Sequence, residues 1–186
     1  MKTYQNPPRS SWPALLQRPA KDLSNLRGPV AEIMQTVREK GDAALLDFTA
    51  RFDGVELDAL DVDQSVIDAA AGQLSPELRQ AIETAKRNIE RFHLAQRNKP
   101  TEIETMPGVR CWREYRSIEK VGLYIPGGTA PLFSTVLMLA VPAQIAGCEE
   151  VVLCSPPNRE TGVIHPAVLF AAGLCGVTKV FRLGGA

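Results

Sequence analysis

The feature that most constrains the fold is a strand that runs into a Pro-Gly-Gly turn and out into an apolar helix. Lys120–Ile125 reads as the strand, Pro126-Gly127-Gly128 as the turn, and Ser134 to Ala146 as the helix. The same cycle then repeats. Glu150–Ser155 is a second strand and Pro166 to Leu174 a second helix, and Thr178–Leu183 is a third strand. The three strands are short, β-branched and nearly unbroken in apolarity. That pattern predicts parallel strands buried on both faces, a βαβαβ unit of Rossmann-like type.

Upstream the period is helical. Pro29 reads as a first-turn proline, followed by Val30, Ile33, Met34 and Val37 at helical spacing, with Gly41 as the stop. Asp42 is read as the N-cap of a second helix carrying Leu45, Leu46, Phe48 and Phe52 and ending near Gly54. A weaker helix is expected over 63–71. The clearest helix starts with Ser75 as cap and Pro76 as first residue, and Leu78, Ile82, Ala85, Ile89 and Phe92 mark its apolar face. Its other face is charged and solvated. Residues 1–27 are expected to be irregular, with Trp12, Leu15 and Leu16 as an anchoring patch. Thr101 to Thr105 and Val109 to Arg116 read as strands of an exposed antiparallel addition, joined at Pro107-Gly108. The expected organisation is a mainly helical region over 1–100 and a partial Rossmann-like domain over 101–186.

Composition removes several function classes. Lysine plus arginine balance aspartate plus glutamate at 21 each, so nothing argues for a nucleic-acid partner. The longest apolar stretch, Val136 to Ile145, is broken by Pro142 and Gln144 and is too short to span a bilayer. The opening residues lack the apolar core of a secretory signal, so the expected address is the cytoplasm. Cys111, Cys148, Cys154 and Cys175 form no CxxC pair and read as reduced, mostly buried small hydrophobes.

The chemistry concentrates at the first strand–helix turn. Glycines at 127 and 128 permit close approach of a ligand to the main chain. The helix beyond offers free N–H groups and a positive dipole end suited to a pyrophosphate, with Ser134 or Thr135 as a cap or phosphate donor. Tyr124, at the carboxyl end of its strand, is expected to face the crevice in which open α/β sheets bind ligands. Cys154-Ser155-Pro156-Pro157 and Leu183-Gly184-Gly185-Ala186 exit at the same edge. Neither GxGxxG nor GxxxxGK[ST] occurs, so the turn alone is equally a plain tight loop. His93 reads as a helix C-terminal residue, and His165 stands before Pro166 without a ligand-spaced neighbour. No complete nucleophile–base set can be assembled.

Several blocks together are specific. Gly122 to Ala140, Pro142 to Cys148 and Val151 to Pro157 closely resemble histidinol dehydrogenases. So do Arg38 to Leu45, Asn88 to His93, Pro107-Gly108-Val109, Ala172 to Val177 and Gly184-Gly185-Ala186. The resemblance implies a fold related to the aldehyde dehydrogenases, incomplete at its C-terminal side. It also implies a homodimeric, zinc-containing enzyme that oxidises L-histidinol to L-histidine through the aldehyde level with NAD. By matching motif, Tyr124 contacts NAD, Pro126, Gly127 and Gly128 form the adjoining turn, and Pro156 is a neighbour of the nucleotide. The family's Glu-His acid–base pair and its zinc ligands are expected beyond Ala186, so no catalytic or metal-ligating residue is assigned here. On that reading the chain is an N-terminal portion of the enzyme, inactive alone. A non-catalytic fold fragment or interaction module, and a different aldehyde-dehydrogenase-like oxidoreductase, remain as alternatives.

Overall fold

The structure is a computed structural model that describes residues 2–18, 24–127 and 130–185. Two compact units are present, residues 1–35 and 36–186.

In the first unit, residues 9–15 are helical rather than irregular. A 3-10 turn, Arg9–Ser11, leads into the one-turn helix α1, Trp12–Leu15. Pro13 pre-sets the helical φ of this turn, and the Trp12 indole N–H donates to Pro7 O at 3.1 Å. Trp12, Leu15 and Leu16 are exposed.

Helix α2, Arg27–Lys40, begins two residues before Pro29 and stops at Gly41, whose φ of 57° lies in the left-handed region. Asp42 is the first residue of α3, Asp42–Phe48, and not its cap. Gly41 holds the N-cap position and offers no side chain there. A π-turn over Thr49–Asp53 continues α3 to Gly54. Helix α4, Gln64–Ala69, passes into a 3-10 turn ending at Gln73. Helix α5, Pro76–Ala95, is capped by Ser75, whose Oγ accepts from Leu78 N–H at 3.2 Å.

Ile82 of α5 is fully buried, and Leu78, Ala85 and Ile89 pack against the core. Phe92, expected on the same face, is exposed. Helix α5 packs on α6, Phe133–Ala146. At about 1.5 Å per residue α5 is roughly 30 Å long and α6 roughly 21 Å, so α6 is too short to cover all of α5, and Arg91, Phe92, Leu94 and Ala95 at its end are exposed. Phe92 meets the ring of His93 edge-on instead, with centroids 5.5 Å apart.

Strands β1, Thr101–Met106, and β2, Val109–Arg113, form an antiparallel hairpin in which every residue is exposed. Its turn is Pro107-Gly108, with Gly108 at φ 79° and its N–H on Glu104 Oε1 at 2.8 Å. The parallel sheet has the order β3–β4–β5, from Lys120–Tyr124, Glu150–Ser155 and Lys179–Arg182. Helix α6 connects the first pair and α7, Pro166–Leu174, the second. Strand β5 begins one residue later than expected, and Thr178 before it bonds across to β4 through its side chain. The Thr178 hydroxyl donates to Val151 O at 2.8 Å and accepts from Val151 N–H at 3.0 Å.

The parallel direction is as the sequence implied, but burial on both faces is not. Right-handed crossovers between strands in sequential order place α6 and α7 on the same side of the sheet, where they touch. Along β4 burial therefore alternates: Val151, Leu153 and Ser155 are buried, while Glu150, Val152 and Cys154 are only half-buried. Leu137, Leu153, Val136 and Ile125 join Ile82 as the fully buried centre. Each such side chain contributes roughly 1.5–3 kcal/mol of burial. The cysteines do not follow the expected pattern either. Only Cys175 is buried, and Cys111 is exposed because it sits on the hairpin.

Candidate functional site

The carboxyl ends of β3, β4 and β5 open on one cleft of about 950 Å³. Tyr124, the last residue of β3, lines it with its ring half exposed. The ladder runs one residue further, since Ile125 N–H donates to Cys154 O at 2.9 Å, and that bond fixes where Tyr124 stands. Pro126 and Gly127 continue the wall, and Ala130 to Leu132 bring it to the start of α6. Ser134 and Thr135 do not cap that helix. Both lie inside its first turn, and Leu132 is the N-cap residue, whose side chain makes no capping hydrogen bond. Thr135 N–H donates to Leu132 O at 3.0 Å in that turn.

Pro156 lines the cleft between the exits of the two outer strands. A Cβ on Gly127 would stand 2.5 Å from Pro156 Cγ, and one on Gly184 2.5 Å from Pro156 Cβ. Both positions require glycine for this close approach. The loop after Pro157 is tied by Asn158, whose Oδ1 accepts from the N–H groups of Glu160 and Thr161 at 2.9 and 3.1 Å. That turn presents Arg159 to the cleft. His165 caps α7 through Nδ1, which accepts from Ala167 N–H at 3.1 Å, so the ring carries its proton on Nε2.

Tyr124, Pro126, Gly127 and Pro156, separated by up to 32 positions, thus share one wall system. Gly128 lies outside the described residues. Sequence reasoning missed Phe52, Asp53, Arg159 and His165 as cleft residues. Phe52 and Asp53 arrive from the end of the α3 segment by tertiary packing, which leaves no local signal. The Asn158 turn carried one, because Asn-Arg-Glu after a Pro pair favours an Asx turn.

The electrostatics are set by burial. Desolvation raises the Tyr124 phenol above its ordinary value, and the charge of Asp53 and the neighbouring Cys154 add to it. Desolvation also raises the Asp53 carboxyl, opposed by the Gly185 and Gly184 backbone N–H groups and by Arg159. Burial pushes the Cys154 thiol up. These are neutral, non-nucleophilic states at neutral pH for Tyr124 and Cys154, which suits binding rather than covalent chemistry.

A family model described as histidinol dehydrogenase matches residues 16–186. The chain belongs to the histidinol dehydrogenase family. The histidinol dehydrogenase of Bacteroides thetaiotaomicron is 56% identical over 185 residues, covering 100% of this chain and 43% of that protein. That of Salmonella typhimurium is 52% identical over 174 residues, 93% of this chain and 39% of its own length. The crystal structure of histidinol dehydrogenase from Elizabethkingia anophelis superimposes with a TM-score of 0.93 at 46% identity, covering 99% of this chain and 42% of that one. The chain thus spans well under half the length of these relatives. Its α/β fold is theirs over that span.

The described residues do not fit a zinc ion, since no three His, Cys, Asp or Glu side chains among them converge. They do fit part of a dinucleotide. The cleft volume is of the right order for a ligand site, about 300–1,000 Å³. It offers an aromatic face, the approach to the start of α6, a cation at Arg159 and a close-packed glycine turn. No helix among the described residues is long and apolar enough to cross a membrane.

Proposed function

We propose that this chain forms the N-terminal part of an NAD-dependent, zinc-containing, homodimeric histidinol dehydrogenase of the cytoplasm, which oxidises L-histidinol to L-histidine. Its cleft holds part of the dinucleotide. The observation that carries this reading is the convergence of Tyr124, Pro126, Gly127 and Pro156 on one cleft at the carboxyl ends of parallel strands. Gly128 extends the same turn by resemblance. The cofactor supplies the hydride acceptor. The residues of this chain would bind and orient it: Tyr124 would offer its ring to a base, and the start of α6 would offer its positive end to a phosphate. Acid–base and zinc-ligating groups are not assigned within residues 1–186.

Two consequences are testable on the 186-residue chain. NAD is expected to bind weakly and to shift the amide resonances of Tyr124, Gly127 and Ser155 in a nitrogen–proton correlation spectrum, while those of the β1–β2 hairpin stay fixed. No NADH is expected to form from histidinol, with or without zinc. Zinc-dependent turnover would overturn the assignment of the catalytic groups to other parts of the enzyme. A cooperatively folded chain whose spectrum ignores NAD would instead favour a non-catalytic module.

A further inference from the structure

Strand β5 is gripped by a segment more than 100 positions earlier in the chain. Val62 N–H donates to Val180 O at 2.9 Å and Arg182 N–H to Leu60 O at 2.7 Å, so residues 60–62 add antiparallel to the edge of β5. The Arg182 guanidinium closes the grip, donating through Nη2 to Ala59 O at 2.7 Å and to Asp61 O at 3.2 Å.

Leu183 N–H makes the last ladder bond, to Ser155 O at 2.9 Å. Gly184 and Gly185 follow without side chains, and a glycine pair is the least conformationally restricted piece a chain can have. Phe52 and Asp53 lie directly on it. A Cβ at Gly185 would stand 2.6 Å from Phe52 Cβ, and one at Gly184 would stand 2.7 and 2.8 Å from the two carboxylate oxygens of Asp53. The backbone N–H groups of both glycines stabilise the Asp53 carboxylate, and the facing charged and titratable groups are Tyr124 of β3 and Arg159 of the Asn158 turn. Among the described residues Asp53 Oδ2 is buried without a hydrogen-bond partner. A carboxylate oxygen kept in that state costs free energy.

We infer that Asp53 is a positioning residue of the cleft: its carboxylate holds the Gly184–Gly185 backbone and so fixes the wall at the β5 exit. The inference rests on the dinucleotide reading for its consequence in binding, and on packing alone for the holding contact. Asp53 comes from a helical segment and the glycines from a strand exit, so the contact transmits the placement of one to the other.

Nuclear magnetic resonance on the 186-residue chain tests this with wild type, Asp53→Asn and Asp53→Ala. In wild type the Gly184 and Gly185 amide resonances are expected to titrate together with the Asp53 side-chain carboxyl carbon, and Asp53→Asn is expected to abolish that titration while keeping the fold. Asp53→Ala is expected to weaken NAD binding about fivefold or more, the scale of a lost hydrogen-bonding contact. Glycine amides indifferent to Asp53 ionisation would overturn the holding contact. NAD affinity unchanged in Asp53→Ala would overturn its role in the cleft. If wild type binds no NAD, the dinucleotide reading fails by itself, and the amide titration alone decides whether Asp53 holds the exit.

Discussion

Gly127 lies so close to Pro156 that a β-carbon on it would stand 2.5 Å from the proline Cγ. A proline ring cannot rotate out of the way as a long side chain can, so the conflict must be relieved by moving backbone. Gly127→Ala is therefore expected to destabilise the chain by about 1–3 kcal/mol, the usual scale of overpacking. It is also expected to weaken NAD binding, because the displaced backbone is the cleft wall. Gly122, within β3, has no atom within 4 Å of its own β-carbon position. Gly122→Ala is expected to be neutral or to stabilise by up to about 1 kcal/mol through the unfolded state. Urea denaturation of the two variants separates them, and equal losses would refute the steric account.

The ring of Tyr124, not its hydroxyl, is expected to carry the binding. Tyr124→Phe keeps the aromatic face and should retain NAD affinity within about twofold. Tyr124→Ala should lose about 1–3 kcal/mol, the range for a base stacked on an aromatic side chain. Fluorescence or calorimetric titration gives both values. The phenol itself should titrate with a midpoint above the ordinary tyrosine value in the folded chain, because burial raises it. The difference between ultraviolet titrations of wild type and Tyr124→Phe isolates it from Tyr4 and Tyr115, and a difference curve with its midpoint below the ordinary value would contradict the described environment.

Thiol reactivity should follow exposure and not position in the cleft. Cys111 is exposed on the hairpin, whereas Cys175 is buried at the end of α7 and pushed up to about 11 by desolvation. Timed alkylation at about pH 8 followed by mass spectrometry should show Cys111 modified first and Cys175 last, since the thiolate is the nucleophile. Early modification of Cys175 in the native chain would mean that the α7 end opens.

What the sequence made legible was the part governed by period and punctuation. Strand β4 and helix α7 have the bounds that their apolar runs and flanking prolines imply, and Ser75-Pro76 marks the start of α5 to the residue. The errors have a common physical origin. Ser134 and Thr135 were natural capping types, yet the chain enters α6 two residues earlier, and cap choice depends on the approach angle of the loop. Apolar β4 looked buried on both faces, but only the placement of α6 and α7 on one side decides which face is covered. In the cleft, Tyr124, Pro126, Gly127 and Pro156 belong to strand exits and could be found locally. Asp53 could not, because nothing near Phe52-Asp53-Gly54 encodes a contact of Asp53 with Gly184, 131 positions away.

Two carboxyl groups should act on acid stability with opposite sign. Glu77, at the start of α5, is lowered by its own backbone N–H and by the Ser75 hydroxyl. The unfolded chain then binds more protons than the native one below 4.5, so this contribution is present above that value and is lost as pH falls through the folded pKa. Asp53 is raised above 3.8, chiefly by desolvation. Here the native chain binds more protons, so this contribution is fully present below 3.8 and is lost as pH rises through the folded pKa. Glu77→Gln should flatten the acid side of the stability profile. Asp53→Asn should remove the opposing decline and raise stability at neutral pH relative to wild type. Urea midpoints measured from about pH 3 to pH 7 read both slopes, and the same sign in the two variants would show that burial does not dominate at Asp53.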